Sequence, residues 1–147
     1  DYSKKGFVFF TNYNSAKARQ LEENNALAAS FWWPSIERQV RIEGRAYKID
    51  AKDSDAYFDQ RKVLSNIAAS VSLQSQPLDS RETLKRAFEE KLQAYQDAGT
   101  LERPAHWGGY VLEPSYWEFW VGQRNRMHDR IAYQKTDTAW EKTRLWP

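Results

Sequence analysis

Cysteine is absent from the 147-residue sequence, and histidine occurs only twice, as His106 and His128. The absence of cysteine excludes disulfide bonds, thiolate nucleophiles, cysteine-ligated zinc and iron–sulfur clusters. The two histidines lie far apart in the chain, so a histidine-rich metal site is not expected. We therefore predict that no metal ion takes part in the function.

The sequence also lacks long hydrophobic runs and a strong charge of one sign. No apolar segment reaches the roughly 18 residues of a membrane-spanning helix, and no signal-peptide pattern is present. Lysine and arginine number 22 against 20 aspartate and glutamate, a net charge of +2, which disfavours a general polyanion binder. We expect a cytoplasmic protein. An organellar location stays open because the chain begins DYSKK, without methionine, like the interior of a longer protein.

Aromatic residues, in contrast, are abundant. Seven Trp, eight Tyr and seven Phe make up 15% of the chain. Such a load in so charged a sequence predicts a β-rich core or large ring-lined surfaces at interfaces and ligand walls. The length is that of about one domain, and no shift in composition marks a boundary. We predict a single domain over residues 1–147.

Hydrophobic periodicity and turn residues predict strands interspersed with helices. Predicted strands cover residues 6–13, 26–33, 38–50, 129–135 and 140–147, and a predicted hairpin covers 107–123 with its turn at Glu113, Pro114 and Ser115. Predicted helices cover residues 14–25, 52–62, 63–72 and 79–97. Asp79 and Glu82 have capping-box spacing, and Gly44 is a candidate bulge. This order predicts an α+β domain with a mainly antiparallel sheet or barrel.

The stretch QRNRMHDR (123–130) concentrates positive charge. If it is extended, Arg124, Arg126, His128 and Arg130 point to one face. Arginine presents a planar fork that suits phosphate or carboxylate oxygens, and histidine donates hydrogen bonds or shuttles protons. The stretch is therefore either an anion site or a solvated edge whose charges pair with nearby acidic residues.

Further candidate binding residues each have an ordinary structural explanation as well. Asn14 or Ser15 begins a helix whose first turn either places Lys17 around a phosphate or is simply capped. Tyr57 and Arg61 are four residues apart, as a binding pair or a cation–π packing pair. The remaining candidates are Gln39 at the head of a strand, Gln74 and Ser75 in a loop, and Trp107, in the core or in a ligand wall. GxGxxG, Walker, GxSxG and HExxH motifs are absent.

Several fragments, in this order, resemble the pyridoxine (pyridoxamine) 5′-phosphate oxidase family. They are GFVFFTNYNSAKA, ERQVRIEG, YFDQR, SLQSQ, WGGYVLEP, EFWVGQRNRMHDR and the terminal RLWP, spread over residues 6–147. The resemblance implies an FMN-binding split β-barrel with peripheral helices, working as a homodimer with FMN at the subunit interface. It also implies oxidation of pyridoxine or pyridoxamine 5′-phosphate to pyridoxal 5′-phosphate, with hydride passing to the flavin and O2 reduced to H2O2.

The resemblance further implies residue roles. The implied FMN contacts are Phe10, Thr11, Lys17, Gln39, Gln74, Ser75, Trp120 and Arg130. The implied substrate contacts are Tyr57, Arg61, Ser65, Arg126 and His128, of which Arg126 and His128 are the expected catalytic pair over the substrate ring. If helical, the i, i+4, i+8 spacing of the first three forms one polar stripe for the substrate phosphate. Arg130 is expected to stabilise negative charge on the reduced flavin.

The sequence departs from the family pattern in three places. The family's upstream R-x-[VI]-L-L-K strand, with flavin contacts and a substrate-binding lysine, would end just before this chain begins. Ala16 stands where the family often has an arginine at the FMN phosphate, with Arg19 one turn further on as a candidate substitute. Residues 60–62 read QRK rather than SRP, and residues 67–70 read IAAS rather than a glycine-containing segment.

These departures leave a second function open, a non-catalytic split-barrel protein that binds FMN or pyridoxal phosphate. A third, a nucleic-acid-binding barrel that uses the aromatic and arginine surfaces, is disfavoured by the near-zero net charge.

Overall fold

The computed structural model describes residues 2–3 and 6–147. Within them the chain forms seven strands, which are β1 (Tyr2–Ser3), β2 (Gly6–Asn12), β3 (Ala26–Trp33), β4 (Arg38–Lys48), β5 (Trp107–Val121), β6 (Asp129–Lys135) and β7 (Trp140–Leu145). The same residues form four α-helices, which are α1 (Ala16–Glu23), α2 (Ala51–Gln60), α3 (Val63–Val71) and α4 (Arg81–Ala98). Short 3₁₀ turns occupy Pro34–Ile36 and Arg124–Arg126. None of the described helices is long and apolar enough to cross a membrane.

The strands form one hydrogen-bonded sheet in the order β1-β2-β5-β4-β3, with β6 paired to β5 and β7 paired to β6. The pairs β1–β2, β3–β4, β5–β6 and β6–β7 are all antiparallel. The predicted α+β class with a mainly antiparallel sheet is confirmed.

The chain divides into two compact units. The first unit comprises residues 1–8, 25–47 and 111–147, and the second comprises residues 9–24 and 48–110. Buried hydrophobic residues of the first unit include Ile42, Ala46, Val111, Leu112 and Ala132, and those of the second include Ala18, Leu21, Phe58, Ile67, Trp107 and Tyr110. The single domain over residues 1–147 stays a prediction.

Helix α1 begins as its sequence predicts. The Ser15 side chain accepts a hydrogen bond from the Ala18 backbone N–H at 3.2 Å, which satisfies a donor of the first turn. Ala18 and Leu21 are buried on one face of the helix, while most of its other side chains are exposed. An exposed polar helix with a narrow buried stripe follows from this spacing.

Helix α4 begins one residue later than its capping signal suggests. Ser80, not Asp79, is the N-cap, because its hydroxyl accepts from the Thr83 N–H at 3.1 Å. Glu82 then lies in the first turn, where a carboxylate interacts favourably with the helix dipole. The prediction of Asp79 as the capping residue is wrong.

The predicted hairpin over residues 107–123 is also wrong, because β5 runs without a turn from Trp107 to Val121. Glu-Pro-Ser is a typical turn sequence, but proline is tolerated in a strand where its missing N–H removes no ladder bond. The β5–β6 register begins at Tyr116↔Gln134, beyond Pro114, so that pairing loses nothing. Tyr116–Val121 continue the strand and carry the candidate residue Trp120.

Gly44 does not interrupt the pairing of β4. The β3–β4 register runs without a break from Ala26↔Arg45 to Trp33↔Arg38, so the predicted bulge is wrong in this pair. A Cβ at Gly44 would instead lie 2.0 Å from the Glu113 carbonyl oxygen. Glycine is needed here because another backbone approaches closely.

Candidate functional site

The second unit contains a stack of nearly parallel rings beneath a guanidinium group, formed by Phe10, Tyr57, Arg61 and Trp107; we call it the Arg61 cluster. The ring centroids of Phe10 and Tyr57 are 3.8 Å apart at 8°, and those of Phe10 and Trp107 are 5.2 Å apart at 11°. The Arg61 guanidinium carbon lies 4.6 Å from the Trp107 ring centroid. This distance is that of a cation–π interaction, which holds the charged group in place.

Arg61 has hydrogen-bonding capacity that the described residues do not use. Its Nη1 atom is buried and, within the described part of the chain, has no hydrogen-bond partner. Arg61 also takes part in no ion pair among the described residues. A buried donor without an acceptor is costly, and a charged one more so. Arg61 is therefore suited to bind an oxyanion.

The helical stripe predicted for Tyr57, Arg61 and Ser65 is wrong, because the helix breaks between them. Helix α2 ends at Gln60, Arg61 is extended (φ −77°, ψ 157°), and α3 begins at Val63. The Asn66 side chain donates to the Phe58 carbonyl oxygen at 2.7 Å and so satisfies the end of α2. Ser65 is exposed in the first turn of α3.

Arg103 supports the Arg61 cluster and was not predicted. Its Nε lies 2.6 Å from an Asp55 carboxylate oxygen, and its Nη1 donates to the Trp107 carbonyl oxygen at 2.5 Å. It thereby ties α2 to the start of β5. A Cβ at Gly109 would lie 2.9 Å from the Phe10 ring, so the second glycine of WGG leaves room for this ring. In the sequence, the glycine pair of WGG was the available sign of this close packing. The Arg103–Asp55 ion pair has no such sign, because the two residues lie far apart in the chain.

Other predicted flavin contacts of the second unit lie at its loops and helix start. The Gln74 side-chain oxygen accepts from the Asn12 N–H at 3.3 Å and from the Thr11 hydroxyl at 3.5 Å, so Thr11 and Gln74 are brought together. Ser75 has a left-handed backbone (φ 70°) and is exposed. Exposed Lys17 places Nζ 5.4 Å from the Phe9 ring centroid.

Arg19, the candidate substitute beside Ala16, donates from Nη1 to the Asn14 carbonyl oxygen at 2.7 Å. This side chain is thus turned to its own helix start.

The first unit contains an open groove of about 510 Å³ lined by Trp32, Gln39 and Trp120; we call it the Trp120 groove. The Trp32 and Trp120 ring centroids are 5.7 Å apart at 57°. The Gln39 side-chain amide donates to the Ser30 hydroxyl at 3.1 Å. The structure thus brings Gln39 and Trp120 together beside an aromatic wall.

The basic stretch is folded rather than extended over its first half. Arg124–Arg126 form a 3₁₀ turn in which Asn125 (φ 58°) and Arg126 (φ 61°) are left-handed. The Met127 N–H donates to the Arg124 carbonyl oxygen at 3.2 Å and closes the turn, and asparagine tolerates this conformation well. The predicted alternation of four cationic groups on one strand face is therefore wrong.

The side chains of His128 and Arg126 lie in different environments. The His128 ring lies 4.7 Å from the Trp120 ring, and its Nδ1 accepts the Gln123 backbone N–H at 3.1 Å. A neutral His128 consequently carries its proton on Nε2. Arg126 is exposed and takes part in no ion pair among the described residues.

Arg130 is held by a carboxylate that was not predicted as a functional residue. Glu118 is only 6% exposed and accepts from Arg130 Nε at 2.7 Å. Its other oxygen lies 3.1 Å from Arg41 Nη2 and accepts from the Tyr116 hydroxyl at 3.1 Å. The hydrogen bond from Arg130 lowers the pKa of Glu118, and burial raises the pKa of Tyr116. The sequence feature that could have drawn attention to Glu118 was its place as the one charged residue inside the aromatic run YWEFW.

The side chains of the Trp120 groove, together with Arg130 of the same unit, fit a flat cofactor such as FMN. Trp32 and Trp120 offer ring surfaces, Gln39 an amide and Arg130 a fixed guanidinium beside them. The unsatisfied Nη1 of Arg61 fits an oxyanion. Among residues 2–3 and 6–147, no cluster of His, Asp or Glu side chains is arranged to hold a metal ion.

Comparison with known proteins gives matches over nearly the whole chain. Residues 2–94 match the family model described as pyridoxamine 5′-phosphate oxidase, and residues 107–147 match the pyridoxine 5′-phosphate oxidase C-terminal dimerisation region. A pyridoxine/pyridoxamine 5′-phosphate oxidase of Hydrogenovibrio crunogenus is 46% identical over 149 residues, which cover 99% of this chain and 68% of that protein. One of Herminiimonas arsenicoxydans is 46% identical over 148 residues, covering 100% of this chain and 69% of that protein.

Two solved structures resemble the fold. PhzG from Burkholderia lata 383, in complex with tetrahydrophenazine-1-carboxylic acid, has a TM-score of 0.92 at 31% identity and covers 100% of this chain and 71% of its own. A pyridoxamine 5′-phosphate oxidase-related, FMN-binding protein from Nostoc punctiforme has a TM-score of 0.78 at 15% identity and covers 100% and 77%. The predicted resemblance and the split-barrel fold are confirmed.

Proposed function

The chain belongs to the pyridoxamine 5′-phosphate oxidase family, and we propose that it oxidises pyridoxamine or pyridoxine 5′-phosphate to pyridoxal 5′-phosphate. When bound, FMN supplies the hydride acceptor and the reaction with O2. The alcohol and O2 yield the aldehyde and H2O2. The amine additionally consumes one water and releases ammonia.

The observation that carries the proposal is the buried Nη1 of Arg61, which has no hydrogen-bond partner in residues 2–3 and 6–147, beside the Trp107 ring. A phosphate monoester supplies the acceptors that this guanidinium lacks, and the geometry of arginine suits two phosphate oxygens. The hydroxyls of Tyr57 and Ser65 are proposed as further donors to the same phosphate. Binding energy at this remote phosphate serves to orient the reacting end of the substrate.

Arg126 and His128 are proposed to act at the substrate ring. Neutral His128 offers a proton at Nε2, because its Nδ1 is occupied by the Gln123 N–H. We assign this proton to a hydrogen bond with the pyridine 3-hydroxyl oxygen, which fixes the ring. The exposed Arg126 guanidinium compensates negative charge there, so that the C4′ carbon is oriented for hydride loss.

The residues proposed to contact FMN are those that the family resemblance implies. They are Phe10, Thr11, Lys17, Gln74 and Ser75 in the second unit, and Gln39, Trp120 and Arg130 in the first. Lys17, in the first turn of α1, is assigned to the flavin phosphate, where helix N–H groups add favourable partial charge. Arg130 is assigned to the developing negative charge of the reduced ring.

A homodimer with FMN at the subunit interface is part of the proposal. Support comes from the match of residues 107–147 to a region described as the dimerisation region of pyridoxine 5′-phosphate oxidase.

The test is the visible spectrum of the purified protein with FMN, recorded without oxygen before and after addition of pyridoxamine 5′-phosphate. We expect the flavin absorbance to bleach, to return on admission of air, and to be accompanied by equal amounts of pyridoxal 5′-phosphate and H2O2. Flavin that binds but stays oxidised in the presence of either substrate would overturn the oxidase and support a non-catalytic FMN-binding protein.

One observation favours a second candidate function, the FMN-dependent oxidation of a partly reduced tricyclic carboxylic acid. PhzG, with a TM-score of 0.92, is described in complex with tetrahydrophenazine-1-carboxylic acid. A carboxylate would also satisfy Arg61. Bleaching by tetrahydrophenazine-1-carboxylic acid, with neither vitamer phosphate reacting, would select this function over the first.

A further inference from the structure

Glu118 lies in the first unit as a buried carboxylate without a role in the chemistry proposed above. We propose that it is a positioning residue, which holds the Arg130 guanidinium beside the Trp120 groove so that the Nη2 nitrogen meets FMN. The inference rests on the proposed function, because Arg130 is a flavin contact only there.

The strand register places the three residues on one face. Trp120 and Arg130 are direct cross-strand partners in the β5–β6 pair. Glu118 is two residues before Trp120 and therefore projects from the same face of β5. Its carboxylate reaches Arg130 diagonally across the strands at 2.7 Å. The interaction thus fixes the guanidinium of Arg130, a residue that lies next to Trp120 of the groove wall.

The hydrogen bonds of Arg130 leave one nitrogen for a ligand. Nε donates to Glu118, and Nη1 donates to the Trp146 carbonyl oxygen at 3.0 Å. Within the described part of the chain these are the two hydrogen bonds of its side chain, so Nη2 is the nitrogen that remains. A planar group held at two nitrogens has its third direction set as well.

Glu118 is itself immobilised more firmly than the pairing with Arg130 alone requires. Its two oxygens receive Arg130 Nε, Arg41 Nη2 and the Tyr116 hydroxyl. Arg41 has a second carboxylate partner, exposed Glu43, at 3.3 Å. Arg130 has Glu118 as its acidic partner among the described residues. Removing Glu118 would therefore leave Arg130 without its carboxylate partner, whereas Arg41 would keep Glu43.

The experiment compares Glu118→Gln with Glu43→Gln. Both variants exchange a carboxylate that contacts Arg41 for an amide, but only the first loses the charged partner of Arg130. Apoprotein is titrated with FMN, and the quenching of flavin fluorescence gives the dissociation constant. We expect Glu118→Gln to weaken FMN binding about tenfold or more, since hydrogen bonds between charged groups contribute strongly to orientation. Glu43→Gln should stay within about twofold of the wild type.

Two further measurements distinguish a positioning role of Glu118 from a general loosening of the fold. Arg130→Gln should weaken FMN binding at least as much as Glu118→Gln, and the double variant should bind FMN no more weakly than Arg130→Gln alone. At saturating FMN, the KM of Glu118→Gln for pyridoxamine 5′-phosphate should stay within about twofold of the wild type. Losses that multiply in the double variant, or a KM that rises with the FMN dissociation constant, would assign Glu118 a purely structural role.

A conservative variant keeps the inference testable if Glu118→Gln does not fold. Glu118→Asp keeps the charge but shortens the side chain by one carbon, and it should weaken FMN binding severalfold with wild-type circular dichroism. FMN binding like that of the wild type in Glu118→Asp and, where it folds, in Glu118→Gln overturns the inference. Wild-type protein that binds no FMN would instead overturn the proposed function.

Discussion

Arg61 draws its chemical significance from its surroundings more than from its charge. The chain carries 22 lysines and arginines, most of them free to be solvated. Arg61 differs because its buried Nη1 has no hydrogen-bond partner among the described residues and because its guanidinium carbon lies 4.6 Å from the Trp107 ring centroid. Such a group is prepared for an anion before the anion arrives, so binding costs little reorganisation.

Replacement of Arg61 tests this assignment. We expect Arg61→Gln to raise KM for pyridoxamine 5′-phosphate about 10–100-fold, the equivalent of about 1.5–3 kcal/mol for a hydrogen bond to a charged group. FMN affinity, measured on the apoprotein, should change less than about threefold, because the contact proposed for Arg61 is with the substrate. Steady-state kinetics at saturating FMN give the KM.

Arg86→Gln is the matched control, since Arg86 is an exposed arginine on α4, and its kinetics should equal those of the wild type. Equal loss of FMN and substrate binding in Arg61→Gln would contradict the assignment.

Single residues also show how far the sequence leads. Tyr57, Arg61 and His128 could be proposed as site residues because family motifs carry them. Arg103 was not, because its partner Asp55 is distant in the chain and the pair has no local signature. Glu118 stands inside a recognised motif, yet only the fold shows that two arginines and a tyrosine hydroxyl converge on it.

At the scale of elements, local signals predicted most bounds and missed those set by tertiary contacts. Residues 26–33 match β3, since Pro34 stops an apolar run, and Ser15 caps α1 as expected. The predicted turn at Glu113, Pro114 and Ser115 was wrong because turn propensity is local, whereas β5 is an extended strand that pairs with β2, β4 and β6 in the sheet. The same limit applies to the 3₁₀ turn at residues 124–126.

Gly44 provides a test of how tightly β4 is packed against the segment that was expected to turn. A Cβ there would lie 2.0 Å from the Glu113 carbonyl oxygen and 2.9 Å from the Pro114 Cα, both backbone positions that cannot rotate away. We expect Gly44→Ala to lower the free energy of unfolding by about 1–3 kcal/mol, as overpacking does. Urea unfolding followed by circular dichroism measures the change.

Ala28→Ser is the control for Gly44→Ala, because it adds one atom at an exposed position of neighbouring β3. Its effect should stay within about 0.5 kcal/mol. A Gly44→Ala protein as stable as the wild type would show that the two backbones separate without cost.

For the whole molecule, the apolar face of β5, β6 and β7 is the surface to be explained. Trp117, Phe119, Ile131, Tyr133, Trp140 and Lys142 line an open groove of about 620 Å³. Phe119 is 40% exposed and Trp140 41% exposed, although both belong to the region matched as a dimerisation region. Large exposed rings of this kind mark interaction surfaces.

We therefore expect a second copy of the chain to cover this face. Trp140→Glu should weaken dimerisation by about 30-fold or more, because removal of a buried interface tryptophan typically costs about 2 kcal/mol or more and the new carboxylate must also be desolvated. Sedimentation velocity over a range of concentrations gives the dimer dissociation constant.

Ala94→Glu, which adds the same charge at an exposed position of α4, should leave the dimer dissociation constant unchanged. If FMN is bound at the subunit interface, FMN affinity should fall in Trp140→Glu at concentrations where it is monomeric. A dimer unaffected by Trp140→Glu would place the interface elsewhere and leave this aromatic face to another partner.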